Sequence, residues 1–120
     1  MASVLVVDDD EEICKGIEAV LKRAGHEVRT ANDGGVALDL MDQEEADVTI
    51  CDIMMPDVDG FEFFRKLKLT HPAVKFIAIS GYSLNGSMNF LAMAEAMGAV
   101  KVFEKPVDPK VLVAAVSEVS

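Results

Sequence analysis

Acidic side chains recur where apolar runs of this 120-residue chain end. The run SVLVV is followed by Asp8, Asp9 and Asp10, and the run VTIC ends on Asp52. Crowded carboxylates repel one another and raise each other's pKa, a cost that becomes tolerable when a cation lies among them. Mg²⁺ prefers oxygen ligands and is typically held by one or two carboxylates and a phosphate oxygen. If these acids converge, they predict a divalent-cation site.

A hydroxyl group and an ammonium group follow two further apolar runs. The run VKFIAI ends on Ser80 and Gly81, and the run AVKVFE is followed by Lys105 and Pro106. Ser80 and Lys105 can bind phosphoryl oxygens, and a carboxylate such as that of Asp52 can attack phosphorus to form an aspartyl phosphate. Because phosphoryl transfer depends mainly on positioning and charge neutralisation, these residues predict a phosphoacceptor site.

Each residue also has a purely structural explanation. The acids from Asp8 to Asp10 would serve equally well as a helix N-cap with first-turn acids, which the helix dipole favours. Asp52 would be an ordinary polar residue at a strand end, and Lys105 a solvated lysine. Only their joint placement at one edge of a sheet favours the chemical interpretation.

Apolar, strand-like runs alternate with helical periodicities five times along the chain. Ile13, Ile17 and Leu21 lie on one face of a helix that ends at Gly25, and Asp108–Pro109 begins the last helix. The predicted strands comprise residues 3–8, 26–31, 47–52, 74–80 and 99–104. This order predicts an α/β, doubly wound fold with a five-stranded parallel sheet and helices on both faces, in one domain spanning residues 1–120.

Parallel sheets of this kind gather function at the carboxyl ends of their strands. All the residues singled out above would then lie along one edge of the sheet.

The formal net charge of −10 opposes direct binding to nucleic acid, which requires clustered Lys and Arg, and it disfavours anionic membrane surfaces. It suits a cation or a basic partner surface.

The remaining candidate ligands have simpler explanations. Cys14 and Cys51 belong to no CxxC motif or Cys/His cluster, and we expect two buried, reduced thiols in a cytoplasmic protein. His26 and His71 stand beside turn residues and are expected to be solvated loop histidines. No apolar run approaches the roughly 20 residues needed to cross a bilayer.

Four motifs resemble those of the receiver domain of two-component response regulators, over essentially the whole chain. VLVVDDD is similar to the family's acidic pair, matched by Asp8 and Asp9, and CDIMMPDVDG is similar to its phosphoacceptor segment D-x-x-M-P-x-x-x-G, matched by Asp52. AISG matches the Ser/Thr and small residue at Ser80–Gly81, and EKPV matches the Lys-Pro pair at Lys105–Pro106. Four motifs in this order are highly specific.

The resemblance implies a flavodoxin-like (βα)5 fold with the strand order 2-1-3-4-5. It implies Mg²⁺ (or Mn²⁺) held by Asp9, Asp52 and the backbone carbonyl of Met54, with Asp8 acting largely through water. The family has a cis peptide bond at the position of Pro106.

The resemblance also implies that Asp52 accepts a phosphoryl group from a sensor histidine kinase or a histidine phosphotransfer protein. Phosphorylation would reposition Ser80, Gly81 and their loop and switch the face formed by strands 4 and 5, which signals to a downstream protein target or an output domain. Met54 and Tyr82 are expected to tune dephosphorylation. Such a chain is a signalling phosphoacceptor and not an enzyme, beyond self-phosphorylation and autodephosphorylation.

The chain departs from the family pattern in strand 5. The family often has Tyr or Phe three residues before the lysine, where this chain has Val102, and the aromatic residue here is Phe103. Because a shift of one residue turns a strand side chain to the other face of the sheet, we expect that Phe103 does not substitute for the usual aromatic switch residue.

Three other classes of protein compete with this interpretation. A flavodoxin-like cofactor binder needs a phosphate loop rich in Gly, Ser and Thr after strand 1, where this chain reads DDDEE. A phosphatase of the haloacid dehalogenase type needs a second acid two residues after the nucleophile, where this chain has Met54. A degenerate receiver that binds partners without phosphorylation is disfavoured by the intact set of Asp52, Ser80 and Lys105.

Overall fold

The computed structural model describes residues 2–53, 60–81 and 87–120, and within these ranges five strands alternate with five helices. Strands β1 to β5 comprise Ser3–Val7, Glu27–Ala31, Val48–Asp52, Lys75–Ser80 and Lys101–Glu104. Helices α1 to α5 comprise Glu11–Arg23, Gly34–Gln43, Gly60–Thr70, Ser87–Met97 and Pro109–Val119. The predicted alternation is confirmed, and the predicted strands agree with the observed ones to within two residues at each end.

The strands form one parallel sheet in the order β2-β1-β3-β4-β5, which confirms the flavodoxin-like topology. Its register aligns the carboxyl ends of neighbouring strands. Val7 at the end of β1 pairs with Cys51, and Asp52 at the end of β3 pairs with Ile79. The residues that follow β1, β3, β4 and β5 therefore emerge at one edge.

Two apolar cores cover the two faces of the sheet, as expected for strands with almost continuous apolar sequences. On one face α1 and α5 pack against the strands, and the core there includes Val6, Ile17, Leu21, Ile50, Ile77 and Leu112. On the other face α2, α3 and α4 pack, and that core includes Leu5, Met41, Phe63, Phe64, Leu67 and Phe76. The helices thus pack against the strands on both faces of the sheet, and this packing holds the strand ends in fixed positions.

Acidic side chains cap three of the helices at their N-termini. Asp10, Asp33 and Asp108 accept hydrogen bonds from backbone N–H groups in the first turns of α1, α2 and α5. Gly25 follows α1 with a φ of +99°, which glycine adopts without steric strain, so the predicted end of this helix is confirmed. None of the described helices combines the length and the apolar character that a bilayer span requires.

A hydroxyl group in the middle of β3 is buried and has no polar partner among the described residues. Thr49 is 0 % exposed, and its Oγ1 makes no hydrogen bond within the described parts of the chain. A buried hydroxyl that lacks a partner loses its hydration without compensation. Thr49 therefore weakens the sheet at a central position.

The prediction of a solvated loop histidine is wrong for His71. Its ring nitrogens lie 3.2 Å from a carboxylate oxygen of Glu45 and 3.0 Å from one of Asp42, and its side chain is 15 % exposed. The hydrogen bond to Asp42 raises the pKa of His71, burial opposes this, and Glu45 reinforces it. Because both ring nitrogens face groups that only accept, the geometry fits the protonated ring, which links α3 to the end of α2.

Thr49→Val should stabilise the protein by about 1 kcal/mol, because valine has nearly the same shape and needs no hydrogen bond. Urea unfolding should show a higher midpoint with an unchanged slope. Thr49→Ser is the matched control, since it keeps the orphan hydroxyl and deletes a buried methyl group, and it should cost about 1 kcal/mol. A Thr49→Val protein less stable than the wild type would show that the hydroxyl does have a partner.

The link through His71 should weaken as pH rises. A histidine whose pKa is raised on folding contributes all its stability below its ordinary value of 6.5, and loses that contribution as pH rises through the folded value. Wild type should therefore exceed His71→Gln in stability by about 0.5 kcal/mol more near pH 6 than near pH 8.5, a small effect because both acids are exposed. The check is urea unfolding at both pH values, and an equal difference at both would contradict the protonated pair.

Candidate functional site

Three carboxylates meet at the carboxyl edge of the sheet. Asp8 and Asp9 follow β1, Asp52 ends β3, and one carboxylate oxygen from each lies within 4.8 Å of the other two. Asp8 and Asp52 are only 2 % and 5 % exposed, whereas Asp9 is exposed. The predicted convergence of these acids is observed in the structure, and Asp10 instead serves as the helix cap.

The ammonium group of Lys105 lies between two of these carboxylates. Its Nζ donates to Asp8 Oδ2 at 2.8 Å and to Asp52 Oδ2 at 2.9 Å. The lysine is brought there by the end of β5, where its backbone N–H donates to the carbonyl of Ser80 at 2.8 Å. The peptide bond from Lys105 to Pro106 is cis, as the resemblance implies.

Burial and pairing act against each other at this ion pair. Burial raises the pKa of Asp8, while hydrogen bonds from Lys105 and from the N–H of Asp10 counteract the rise. Burial disfavours the charged form of Lys105, but hydrogen bonds to Asp8 and Asp52 outweigh it, so the pKa of Lys105 is raised. Lys105 is thus a firmly charged group beside two carboxylates.

The hydrogen bonds of Asp8 distinguish its role from that of Asp9. The Oδ1 atom of Asp8 accepts from the N–H of Asp10 at 2.9 Å, and its Oδ2 atom accepts from Lys105. Both oxygens of Asp8 thus have protein donors, which fits an indirect role toward a cation. Asp9 and Asp52 supply the hard oxygen atoms that Mg²⁺ or Mn²⁺ prefers. The donor set therefore fits a divalent cation.

Ser80 and Gly81 lie at the end of β4, beside this cluster. Ser80 is fully buried, and its Oγ donates to the carbonyl of Gly81 at 3.4 Å. In the next strand Val102 packs on the core beneath α4, and Phe103 packs on the opposite core beneath α1 and α5. The prediction that Val102 and Phe103 point to opposite faces is confirmed.

Two predicted site residues, Met54 and Tyr82, lie outside the described residues. The predicted cation contact of the Met54 carbonyl and the predicted tuning of dephosphorylation by Met54 and Tyr82 therefore stay predictions.

Cys14 and Cys51 are buried and form no disulfide bond within the described residues, and burial together with the charge of Asp8 raises the pKa of Cys14 to about 11. His26 is half-buried and accepts a hydrogen bond from the N–H of Ala2 at 3.0 Å, so it is not simply solvated.

The sequence reasoning missed two residues that touch the site. Asn32 Nδ2 and Cys14 Sγ lie 3.2 Å and 3.4 Å from the backbone carbonyl of Asp8. Asn32 follows β2 directly, and β2 is the neighbour of β1 in the sheet. The strand order therefore contains a signal for Asn32, because strand 2 also ends at the functional edge of the sheet.

Gly60 allows α3 to begin directly against the end of β3. A Cβ atom at this position would overlap the Cα of Ile53 and lie 2.7 Å from the carbonyl oxygen of Asp52. Both are backbone atoms, so they can move only if the end of the strand moves. The close approach of the two elements therefore helps to set the position of the Asp52 side chain.

Comparison with known proteins agrees with this geometry. Residues 4–117 match the family described as the response regulator receiver domain. A receiver domain protein from Clostridium thermocellum superposes with a TM-score of 0.90 at 29 % identity, covering 99 % of this chain and 94 % of that one.

Two curated relatives are longer proteins. The chain is 36 % identical over 91 % of its length to the CAI-1 autoinducer sensor kinase/phosphatase CqsS of Vibrio cholerae, of which it spans 16 %. It is 33 % identical over 88 % of its length to the transcriptional regulatory protein ZraR of Klebsiella oxytoca, of which it spans 23 %. The similarity therefore concerns one domain of each relative.

Gly60→Ala should destabilise the protein by about 2 kcal/mol, because the added methyl group displaces backbone at the end of β3. Gly16→Ala is the matched control: a Cβ there meets nothing within 4 Å, and alanine within a helix should stabilise the protein by about 0.5–1 kcal/mol. Urea unfolding of both variants measures the two effects. Equal effects of the same sign would contradict the steric role of Gly60.

Proposed function

Because the chain belongs to the response regulator receiver family of two-component systems, we propose that it accepts a phosphoryl group on Asp52 from a phosphohistidine donor. The observation that carries this proposal is the contact of Asp52 with Lys105 at the end of β3, beside the acidic pair Asp8 and Asp9. A carboxylate that is fixed on a rigid strand end and paired with the ammonium group of Lys105 is well placed to receive a negatively charged group.

The proposed step exchanges one phosphorus bond for another. A carboxylate oxygen of Asp52 attacks the phosphorus atom, a P–O bond forms, the P–N bond to the donor imidazole breaks, and the departing imidazole takes up a proton. Lys105 stays beside the acceptor carboxylate and neutralises negative charge that accumulates on the phosphoryl oxygens. Asp8 keeps Lys105 in place through its Oδ2 atom.

A divalent cation, Mg²⁺ or Mn²⁺, completes the proposed site. Asp9 and Asp52 would hold it directly, and Asp8 would contribute through water, because both of its oxygens accept from protein groups. When bound, the cation supplies charge neutralisation between the acceptor carboxylate and the phosphoryl oxygens. The predicted contact of the Met54 carbonyl belongs to the same proposal.

Phosphorylation is proposed to change the face formed by β4 and β5. Ser80 would turn toward the phosphoryl group, and its backbone contact with Lys105 couples the ends of the two strands. With Val102 in the place of the usual aromatic residue, Ser80, Gly81 and the loop after them would carry the change. The chain would shift between two populated states and would not catalyse a reaction on another substrate.

The proposed partners follow from the proteins in which related domains occur. A sensor histidine kinase or a histidine phosphotransfer protein would donate the phosphoryl group, and a downstream protein or an output domain would receive the signal. The proposed location is the cytoplasm, where buried cysteines outside disulfide bonds, such as Cys14 and Cys51, remain reduced. A role as a receiver that works without phosphorylation is less well supported, because Asp8, Asp9, Asp52 and Lys105 lie together at one edge of the sheet.

Asp52 should be the residue that is phosphorylated. Incubation with a small phosphodonor and Mg²⁺ should add the mass of one acid-labile phosphoryl group to the intact wild-type chain, and omitting Mg²⁺ should suppress the addition. Asp52→Asn should lose at least about 90 % of the labelling, since an amide is a far weaker nucleophile. Asp47→Asn is the control, because Asp47 lies before β3 at the opposite end of the strand. An Asp52→Asn chain labelled like the wild type would overturn the proposal.

A further inference from the structure

The peptide group between Asp8 and Asp9 is held by Asn32, the residue that follows β2. The Asp8 carbonyl lies 3.2 Å from Asn32 Nδ2 and 3.4 Å from Cys14 Sγ. A carbonyl oxygen can only accept, so the Asn32 side chain presents its NH₂ group and not its own oxygen. This contact reaches the acidic pair from the end of β2, the edge strand beside β1.

Further hydrogen bonds fix the same stretch of backbone. The N–H of Asp8 donates to the carbonyl of Ala31 at 3.1 Å, and the N–H of Asp10 donates to Asp8 Oδ1 at 2.9 Å. The peptide groups before and after Asp9 are thus both tied. Because the Asp9 side chain is exposed, its position depends more on this backbone than on packing, yet one of its oxygens lies within 4.8 Å of one from Asp52.

We propose that Asn32 is a positioning residue for the divalent-cation site, acting through the Asp8 carbonyl. The inference rests on the proposed function, which assigns the cation to Asp9 and Asp52. By holding the Asp8–Asp9 peptide, Asn32 keeps the Asp9 carboxylate directed toward Asp52, so cation binding does not have to order it. Outer groups that orient ligands commonly affect metal affinity in this way.

Two substitutions separate positioning from charge. Asn32→Ala removes the donor. Asn32→Asp keeps the shape, replaces the donor by an acceptor that repels the Asp8 carbonyl, and adds a negative charge that by itself would attract cations. Asp33→Asn is the control in the same loop, because asparagine caps a helix as well as aspartate does, and Asp33 caps α2.

The experiment is a calorimetric titration of the full chain with Mg²⁺, with urea unfolding of each variant alongside. Loss of one hydrogen bond predicts that Asn32→Ala binds Mg²⁺ roughly 3- to 10-fold more weakly. Asn32→Asp should also bind more weakly than the wild type despite its added charge, and Asp33→Asn should stay within about twofold.

Labelling with a small phosphodonor provides a second readout. In Asn32→Ala the Mg²⁺ concentration for half-maximal labelling should rise by the same factor as the dissociation constant, while the rate at saturating Mg²⁺ should stay near that of the wild type. If Asn32 were needed only for folding, Asn32→Ala would lower the free energy of unfolding and leave the half-maximal Mg²⁺ concentration unchanged.

Two results would overturn the role of Asn32: an Asn32→Ala chain with the Mg²⁺ affinity of the wild type, or an Asn32→Asp chain that binds Mg²⁺ more tightly than the wild type. A wild-type chain that binds no Mg²⁺ would overturn the cation site of the proposed function and this inference with it. The wild-type titration therefore distinguishes the two failures.

Discussion

The ammonium group of Lys105 is the contact on which the functional edge of the sheet depends. It joins the ends of three strands, because Asp8 follows β1, Asp52 ends β3 and Lys105 follows β5. Without it, two nearly buried carboxylates would face each other, and removing one partner of a buried ion pair typically costs about 3–5 kcal/mol. The positive charge of Lys105 therefore makes it possible for Asp8 and Asp52 to lie close together at the ends of two buried strands.

Neighbouring acids of the same type divide the work because the backbone turns between them. Asp8 is buried and accepts from Lys105, Asp9 is exposed with a carboxylate oxygen near those of Asp8 and Asp52, and Asp10 caps α1. The structural explanation of this acidic run is thus correct for Asp10, which serves the fold, while Asp8 and Asp9 lie in the carboxylate cluster with Asp52.

The end of β5 couples charge to conformation. The Lys105 side chain contacts Asp8 and Asp52, and its backbone N–H donates to the carbonyl of Ser80. Any change in the charge at Asp52 therefore acts on a residue that is tied to β4. Because Val102 stands at the aromatic position and packs beneath α4, the backbone contact between Lys105 and Ser80 is the coupling that the proposed switch would use.

The sequence by itself determined the fold class, the strand bounds, two helix ends and the acids of the site, because hydrophobic periodicity, caps and glycine turns are local properties. It also located Lys105, since a parallel sheet brings its strand ends together. Only the tertiary structure decided the contacts whose partners lie far apart in the chain. The Asn32 contact with the Asp8 carbonyl, the pairing of His71 with two acids and the orphan hydroxyl of Thr49 depend on strand order, register and helix packing. Local sequence patterns do not specify contacts between residues that are far apart in the chain. A residue such as Asn32, which the sequence pattern assigns to a turn, can therefore contact the site.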